Sequence, residues 1–578
     1  LRPGVDYKNL EAKLPAFTDK YINSGEWSKT NNRHTELHLI PLSGIHLYSN
    51  YNQEAEVNGN GQAVSFLFLI AIFIICIAWI NFINLSTARS VERAKEVGVR
   101  KVLGALRGTL IRQFLTESFM LNIISLLLSL IIFFLLLHPF DFFTGRNNYT
   151  GFALAENYWL IFFALFFSGT FLSGLYPAFV LSGFKPVTVL KGAFKNTASG
   201  QLLRKSLIVV QFVTSVVLIA GTIIVFKQVG FMRNQKLGVD INRTLILKGP
   251  QTLADSLYQN SYQPFKSAAL QMPSIKNIAT STSVPGDEIY WTNGSKRLGS
   301  DQSVVSLYNL GIDYDFIPSY DIKMVAGRNF SKQFGTDKKT AIINETAAKL
   351  FGFKNAAAAI GGRIRRDGDT LTLIGVTADF HQLGLQKNID PMILVLTPNR
   401  SNFYSLKVNE ANMQQTIASL NQLWNKYFPK DPFNYFFLDE SFGQQYKADI
   451  LFGKVFGVFA FLAILIACFG LLGLSAYNVL QRTKEIGVRK VLGASLQSIL
   501  ILLSRDFLKL VVVSLFLAIP VGWFIMNRWL QDYAYRISIG WWVFAVAGAS
   551  ALFIAIITIC IQVVKAAGKN PVKSLRTE

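Results

Sequence analysis

The sequence has few acidic residues, cysteines and histidines. It contains 35 Asp and Glu against 57 Lys and Arg, with three cysteines and five histidines. The cysteines, Cys76, Cys468 and Cys560, all lie in apolar runs, so no disulfide framework crosslinks the polar parts of the chain. The pattern G-x-x-x-x-G-K-[ST] is also absent, which excludes this mode of nucleotide binding. Any work driven by ATP would therefore need a separate ATPase, and no cofactor is expected.

Hydrophobic residues make up 51% of the chain, and they cluster in runs long enough to cross a bilayer as helices, which takes about 20 residues. The seven runs are Val64–Ser86, Ile111–Leu137, Tyr158–Ser182, Leu207–Phe226, Phe452–Leu474, Ile499–Met526 and Trp541–Val564. A helix satisfies its backbone polar groups internally, so such runs are stable in lipid. The fold class predicted is an α-helical transmembrane protein with seven spans in this chain.

The net charge of +22 would suit a protein that binds nucleic acid, but the positions of the charges do not. Four segments hold 21 Lys and Arg against four acidic residues: 89–112, 183–205, 479–505 and 565–578. The short loops 138–157 and 527–539, on the opposite side, hold three of each sign. This is the positive-inside bias. It predicts that the four basic segments are cytoplasmic and lie near membrane lipid, and that nucleic acid is not a partner.

The polar insertion at about 240–447 has the pattern of an α+β extracytoplasmic domain. Strand-like "TLILKG" (244–249) and "IKNIATSTSV" (275–284) flank a helical stretch, and "FYSLKV" (403–408) and "FNYFFLD" (433–439) flank another at 412–428. The second helix carries Met413, Ile417, Leu420, Trp424 and Phe428 on one face. Two βαβ units around a middle section predict a split ferredoxin-like layer with an inserted subdomain.

The middle section also contains local sequence signals for a helix and a turn. Asn344 is predicted to cap the helix in "NETAAKLFG", and Gly352 to end it. Asp367 and Gly368 are predicted to form a turn between two strands.

A short basic segment occurs twice, each time after an apolar run. "KEVGVRKVLGA" (95–105) and "KEIGVRKVLGA" (484–494) match at ten of eleven positions, 389 residues apart. Glu96 and Arg100, like Glu485 and Arg489, are i,i+4 pairs in the orientation that favours a helix. Gly104 and Gly493 suit a helix end or a close backbone contact. The segment residues predicted to couple to a partner are Lys95, Glu96, Gly98, Arg100, Lys101 and Gly104, and Lys484, Glu485, Gly487, Arg489, Lys490 and Gly493.

Two interpretations of this segment remain open. A juxtamembrane basic patch that sets topology and contacts anionic lipid would explain the Lys and Arg residues. It would not explain why glutamate, glycine and alanine recur at the same positions. A docking helix explains the repeated order, with Val97, Val99, Val102 and Leu103 as an apolar surface beside the charges.

With these motifs, almost the whole chain resembles the MacB/FtsX-type permeases of ABC transporters, in their fused eight-span form. The repeated segment carries the resemblance, together with "GIDYDFIPSYDIKMVAGRNFS", "AIINETAAKLFG" and "IGVTADFHQLGL" in the insertion. The first span and most of the first exported domain of that form have no counterpart, so we expect the sequence to be truncated at its N-terminus. Residues 1–62 would be the remnant of the first extracytoplasmic domain.

The resemblance implies a domain order for the rest of the chain. Residues 63–204 would form the first FtsX-like permease unit, with three spans and the coupling segment 89–108. Span four and a stalk would follow at 205–239, and a second, MacB-like periplasmic core domain at 240–447. Residues 448–578 would form the second permease unit, with three spans and the coupling segment 478–497.

The resemblance also implies a function. The chain would be a non-catalytic permease subunit in the bacterial inner membrane, with its large domain in the periplasm. Two copies of a cytoplasmic ABC ATPase would drive it, and its motion would export or extract a lipoprotein, a peptide or a toxic amphiphile. A periplasmic adaptor or outer-membrane component would be a further partner. The alternative is an FtsX-like regulator of a periplasmic cell-wall hydrolase, although an insertion of about 200 residues favours the exporter.

Other functions have weaker signals. His34 and His38 flank Glu36 in "HTELH", but the order differs from H-E-x-x-H, so a zinc site is not expected. Asp379 and His381 lack a nucleophile motif such as G-x-S-x-G. A secondary transporter would need broken spans and buried charge, and the middle parts of these runs are almost free of ionisable residues.

Overall fold

The structure, a computed structural model, describes residues 6–26, 28, 34–49, 51, 54, 59–144, 156–182, 198–253, 255–300, 304–366, 368–397, 402–409, 412–481 and 483–567. Asp367, most of segment 183–205 and the end of segment 565–578 fall outside these residues. The chain divides into two compact units. The sheet unit comprises Leu1–Gly61, Gln228–Asp449 and Gln531–Ile537, and the span unit comprises Gln62–Lys227, Ile450–Leu530 and Ser538–Glu578.

Sixteen α-helices occur in the described residues. In chain order they are α1 Tyr7–Glu11, α2 Leu14–Thr18, α3 Leu42–Tyr48, α4 Gly61–Val102, α5 Arg107–Thr144, α6 Glu156–Ser182, α7 Ala198–Asn234, α8 Asp255–Leu270, α9 Phe316–Ser319, α10 Glu345–Leu350, α11 Met413–Tyr427, α12 Leu438–Gln444, α13 Lys447–Gln481, α14 Thr483–Val491, α15 Leu496–Leu530 and α16 Trp541–Ala567. The long helices belong to the apolar runs, where only self-bonded backbone is stable in lipid.

In the part of the chain that the structure describes, six helical segments are long and apolar enough to cross a membrane. They are Gly61–Leu85, Arg107–Phe142, Lys205–Asn234, Lys447–Ala476, Phe507–Leu530 and Trp541–Gln562. The seventh predicted run lies in α6, whose described apolar stretch is the shorter Trp159–Phe171. The prediction of a helical transmembrane protein is confirmed.

One buried apolar cluster joins five helices of the span unit. It contains Ile208 and Phe212 of α7, Leu471 of α13, Ile486 of α14, and side chains from α15 and α16. A smaller cluster joins α4 to α5 through Val97, Leu110 and Phe114. In both clusters a residue of the repeated segment packs against the helix that follows it.

Within the described residues of the sheet unit, eleven strands form one hydrogen-bonded sheet. They are β1 Thr244–Lys248, β2 Ile275–Ser281, β3 Thr292–Arg297, β4 Val305–Ile312, β5 Met324–Gly327, β6 Thr340–Asn344, β7 Arg363–Arg366, β8 Asp369–Thr377, β9 Met392–Leu396, β10 Phe403–Val408 and β11 Tyr435–Phe437. The order β11-β1-β10-β2 is antiparallel throughout, with Leu245 opposite Leu406 and Phe437. The two βαβ units are therefore β1-α8-β2 and β10-α11-β11, interleaved in one layer.

Helices α8 and α11 cover one face of this layer, as the sequence periodicity predicts. Leu420 and Trp424 of α11 are fully buried, together with Phe265 of α8 and Tyr404 of β10. The last strand is shorter than predicted. β11 ends at Phe437, because Leu438 and Asp439 already begin α12.

The middle section, between β2 and β10, closes into a ring of six strands. The pairing runs β4-β3-β7-β8-β6-β9 and returns to β4 through the parallel pair β4–β9. Asn344 caps α10 as predicted, since its side chain accepts a hydrogen bond from the Ala347 amide at 3.0 Å. Gly352 follows this helix at φ +68°.

A charged cluster connects α8 to the end of β4. Lys266 Nζ lies 2.6 Å from Asp315 Oδ2 and 3.6 Å from Asp313 Oδ2. Burial raises the pKa of Asp313 from 3.8 to about 6, although Lys266 opposes the shift. The folded protein therefore holds this proton more tightly than the unfolded chain does.

This shift predicts a pH dependence of stability. A raised carboxyl pKa gives a contribution that is fully present below about pH 4 and is lost as the pH rises through about 6, a loss of about 3 kcal/mol. Asp313→Asn should flatten the rise in unfolding temperature of the full chain between pH 7.5 and pH 5. Equal pH profiles for the two proteins in a thermal unfolding series would contradict this assignment.

Candidate functional site

The two copies of the repeated segment end their helices with the same backbone motif. In the first, Ala105 N donates to Arg100 O at 2.9 Å and Gly104 N to Lys101 O at 3.1 Å. In the second, Ala494 N donates to Arg489 O at 2.9 Å. Gly104 and Gly493 have φ angles of +95° and +87°. These are Schellman-type ends, in which glycine is favoured because other residues are strained at positive φ.

Steric crowding does not explain why glycine occurs at positions 104 and 493. A Cβ atom built on Gly104 or Gly493 would meet no atom within 4 Å. The recurrence of glycine therefore follows from the backbone turn, which sets the angle at which α5 and α15 leave the segment. Gly98 and Gly487 lie inside the helices.

The predicted ion pairs form in both copies. Arg100 Nη2 lies 2.6 Å from Glu96 Oε1, and Arg489 Nη2 lies 2.9 Å from Glu485 Oε1. Both pairs are exposed to solvent, so each adds only about 0.3–0.5 kcal/mol to its helix. Arg100 Nη1 also donates to Gln113 Oε1 of α5 at 2.7 Å. Of the basic residues, Lys101 is half-buried, and the side chains of Lys95, Lys484 and Lys490 lie outside the description.

Each copy also presents an apolar patch to solvent. We call Val99, Val102 and Leu103 the first patch, and Val488, Val491 and Leu492 the second. The two patches occupy the same repeat positions, and their exposure agrees closely: 81% for Leu103 and 79% for Leu492. Repeated exposed apolar side chains beside charged ones are typical of a docking surface.

One residue predicted for this surface is buried. Val97 is 2% exposed because it packs against Leu110 and Phe114 of α5, and its counterpart Ile486 is buried in the same way near Ile499 of α15. The prediction that Val97 belongs to the apolar surface is therefore wrong, because burial depends on the next helix, which the segment alone does not reveal. Leu106 is exposed in the first copy, where the second has Ser495.

A second site lies in the sheet unit, where the loop between α15 and α16 meets the segment after β8. We call it the joint and define it by Gln228, His381, Gln386, Asp449, Tyr533 and Tyr535. The Asp449 carboxylate accepts from Tyr533 Oη at 2.7 Å and from Gln386 Nε2 at 2.9 Å. Burial raises the pKa of the Tyr533 phenol, so it stays protonated as the donor.

Backbone contacts complete the joint. Gln228 is fully buried, donating to Tyr535 O at 2.8 Å and accepting from Ile537 N at 3.0 Å. Ala534 N donates to Gln386 O at 3.1 Å. Gln228 lies on α7 and Asp449 on α13, both helices that contain membrane spans, so the joint fastens the loop to both.

The residues considered for enzymatic sites have structural partners. Asp379 accepts from Thr346 N at 2.9 Å and from Thr346 Oγ1 at 2.8 Å. His381 packs edge-on against Tyr535 at 4.8 Å, and burial lowers its pKa, which favours the neutral ring.

The histidines of "HTELH" lie at the surface of a segment without regular structure. Among the described residues, no group of three His, Cys, Asp or Glu is arranged to hold a metal ion.

Sequence reasoning missed Gln228, Gln386, Asp449 and Tyr533. The only available signal was a polar side chain near the end of an apolar run, at Gln228 and Asp449. Their partners lie far away along the chain, as with Gln228 and Tyr535, which are 307 positions apart.

Models of two protein families match most of the chain. The FtsX-like permease C-terminal family matches residues 68–186 and 457–571, so it matches once in each half. The MacB-like periplasmic core domain family matches residues 209–423. A comparison with curated proteins gives no match.

Two solved structures are similar to about a third of the chain each. The periplasmic region of MacB from Actinobacillus actinomycetemcomitans is 13% identical, and the match covers 36% of this chain and 93% of that one, with a TM-score of 0.27. The extracellular domain of the noncanonic ABC-type transporter YknZ from Gram-positive bacteria is 14% identical, with 33% and 97% covered and a TM-score of 0.25.

Proposed function

Because the chain belongs to the MacB/FtsX type of ABC transporter permeases, we propose that it transmits ATP-driven motion from a cytoplasmic ATPase to its extracytoplasmic domain. Permeases of this type are membrane subunits, generally non-catalytic, and they generally work with a cytoplasmic ABC ATPase. The chain is a multi-pass membrane protein with an extracellular domain. We assign it to the bacterial inner membrane, with that domain in the periplasm.

The observation that carries this proposal is the exposed apolar patch that occurs in both repeated segments. Each patch has the same three apolar positions, followed by the same glycine turn. Two equivalent surfaces in one chain suit two copies of one ATPase, one on each segment. The glutamate–arginine pairs fix side chains beside each patch, and the lysines add the positive charge that selects a partner of opposite potential. All twelve predicted segment residues are proposed to take part in this coupling.

The joint supports the second half of the proposal, mechanotransmission. A carboxylate on α13 and an amide on α7 hold the loop that connects α15 to α16, and the same loop is bonded to Gln386. A displacement of any of these helices along its axis would therefore be passed to the segment after β8. Movement of packed helices against one another is an established form of conformational switching.

We propose a lipoprotein, a peptide or another amphiphile as the cargo, exported or extracted on the periplasmic side. The extent of the domain at 240–447 favours an exporter, which must contact a cargo, over an FtsX-like regulator of a cell-wall hydrolase. A periplasmic adaptor or outer-membrane component would then receive the cargo. Cross-linking in whole cells from exposed residues of this domain would distinguish the two functions. An exporter should capture its cargo, and a regulator should capture a cell-wall hydrolase.

The ATPase proposal predicts a large effect of charge reversal at the second segment. Glu485→Lys places a lysine four residues before Arg489, which costs the exposed helix only a few tenths of a kcal/mol. In a docked interface a misplaced like charge costs several kcal/mol, so ATPase retention should fall about tenfold or more. The ABC ATPases of the source bacterium are co-expressed one at a time, and the ATPase retained per permease is measured.

Glu485→Gln provides the matched control, since it removes the pair without reversing its sign. It should retain most of the ATPase, and both variants should insert into the membrane normally. If Glu485→Lys retained as much ATPase as the unaltered chain, the segment would not be the docking site.

A further inference from the structure

At two aligned positions of their first shared helix, the first repeat has asparagine and the second has glycine. The offset of 389 that aligns the basic segments also aligns Asn81 with Gly470 and Asn84 with Gly473. Five neighbouring pairs are identical: Ile75 and Ile464, Ile77 and Ile466, Ala78 and Ala467, Leu85 and Leu474, Ser86 and Ser475. The first repeat therefore has "NFINLS" where the second has "GLLGLS".

In the span unit, Asn81 contacts Gly470 and Leu85 contacts Gly473. Asn81 Nδ2 donates to Ile466 O of α13 at 3.4 Å. A Cβ atom built on Gly470 would lie 2.6 Å from Asn81 Oδ1, closer than such atoms approach. A Cβ atom on Gly473 would overlap the side chain of Leu85. The asparagine side of α4 thus fits against α13 only because both facing residues are glycines.

The second repeat also supplies polar groups for the asparagine amide. Ile466 O accepts from Asn81 Nδ2, and Gln211 Nε2 of α7 borders the same glycine, 3.2 Å from the built Cβ position. Asn81 Oδ1 and Gln211 Nε2 are buried and make no hydrogen bond among the described residues. A hydrogen-bond acceptor and a donor therefore lie beside the same glycine, Gly470. Polar side chains between spans favour the partner that can satisfy them.

We infer that Asn81 opposite Gly470 selects the pairing of the two halves: α4 binds α13 of the other repeat in the same chain, in preference to a copy of itself. The pairing of α4 with another α4 would set asparagine against asparagine where glycine now gives the room. The covalent connection then favours the partner in the same chain. This inference does not depend on the ATPase.

Cysteine cross-linking of the full chain tests the pairing in membranes. Cys76, Cys468 and Cys560 are first replaced by alanine, and Leu85→Cys is combined with Gly473→Cys. The contact between these two positions brings their Cβ atoms within the range of a disulfide. Oxidation should give an internally bonded monomer on a non-reducing gel. A covalent dimer of chains, or no disulfide at all, overturns the inference.

A residue swap tests the complementarity itself. Added to the cross-linking pair, Gly470→Asn should lower the internal disulfide yield about tenfold through overpacking. Combining it with Asn81→Gly exchanges the large and small residues, and should restore the yield to within about threefold of the unswapped chain. A double variant no better than Gly470→Asn alone overturns the inference, because a purely structural glycine would not be rescued from the opposite helix.

The second readout is an increase in pairing between the α4 helices of two chains, which a misfolded protein would not give. With Leu85→Cys as the only cysteine, the chain should form few covalent dimers, because asparagine opposes the contact of α4 with α4. Adding Asn81→Gly should raise the covalent dimer severalfold, since glycine at this position lets two copies of α4 approach each other closely. Equal dimer levels in the two chains, whether high or low, overturn the inference.

Discussion

Chains that carry Leu103→Asp together with Leu492→Asp are expected to retain no ATPase through purification. Both leucines are about four-fifths exposed, so neither substitution disturbs a packed core. Burying a leucine in an interface contributes about 1.5–3 kcal/mol, so the pair contributes about 3–6 kcal/mol, or two to four orders of magnitude in affinity. The aspartates add the cost of desolvating a charge at each docked surface.

The measurement is the amount of ATPase retained per permease, together with the ATP hydrolysis rate of the purified complex. Leu106→Ser is the matched control. Leu106 is also exposed, but the second copy has Ser495 at its position, so the substitution copies a residue already present in the other segment. It should retain the ATPase. If the double aspartate variant retained all of the ATPase, the two patches would not be the surfaces that bind it.

The single variants test whether the two segments are equivalent. Leu103 and Leu492 have nearly the same exposure, and each directly follows the last residue of a helix, Val102 of α4 and Val491 of α14, so Leu103→Asp and Leu492→Asp should weaken binding equally. A large effect of one and none of the other would mean that a single segment carries the ATPase, and that two copies of the ATPase do not dock on this chain.

Features determined within a few residues could be predicted from the sequence. The buried face of α11 with Leu420 and Trp424 follows from spacings of three and four, and the cap at Asn344 follows from the side chain itself. The positive φ of Gly104 and Gly493 is likewise local, because the helix end and its glycine lie in one segment.

Features that join distant parts of the chain could not be predicted in the same way. The ring closes through β4 and β9, about 80 positions apart, and nothing in either strand specifies its partner. The segment alone predicts an exposed Val97, whereas in the structure α5 covers this side chain. The joint is the extreme case, because Tyr533 and Asp449 meet across 84 positions and Gln228 and Tyr535 across 307.

Removing both donors to Asp449 is expected to disconnect the extracytoplasmic domain from ATP-driven motion while leaving ATP hydrolysis in place. In Tyr533→Phe with Gln386→Ala, the carboxylate loses the bonds at 2.7 Å and 2.9 Å. Hydrogen bonds to charged groups contribute about 1.5–3 kcal/mol each, so the joint should open about a hundredfold or more often. The repeated segments lie outside the sheet unit, and ATPase binding should be unchanged.

Hydrogen exchange of the purified complex measures this opening directly. In the unaltered complex, amides 384–386 and 531–537 should be protected, and their protection should change when ATP is added. In the double variant protection should be low in both conditions. If the ATP-dependent change survived in the double variant, force would reach the domain by another route, such as the continuous helices α7 and α13.

Tyr535→Phe distinguishes loss of a specific bond from general damage to the loop. Tyr535 acts through its backbone, which bonds to Gln228 and Leu385, and through its ring, which packs on His381. Phenylalanine keeps all of these contacts, so Tyr535→Phe should exchange and couple like the unaltered protein. The same chemical change two residues earlier removes the Asp449 bond. A difference between Tyr533→Phe and Tyr535→Phe therefore isolates one hydroxyl group, and equal behaviour of the two would assign the effect to the loop as a whole.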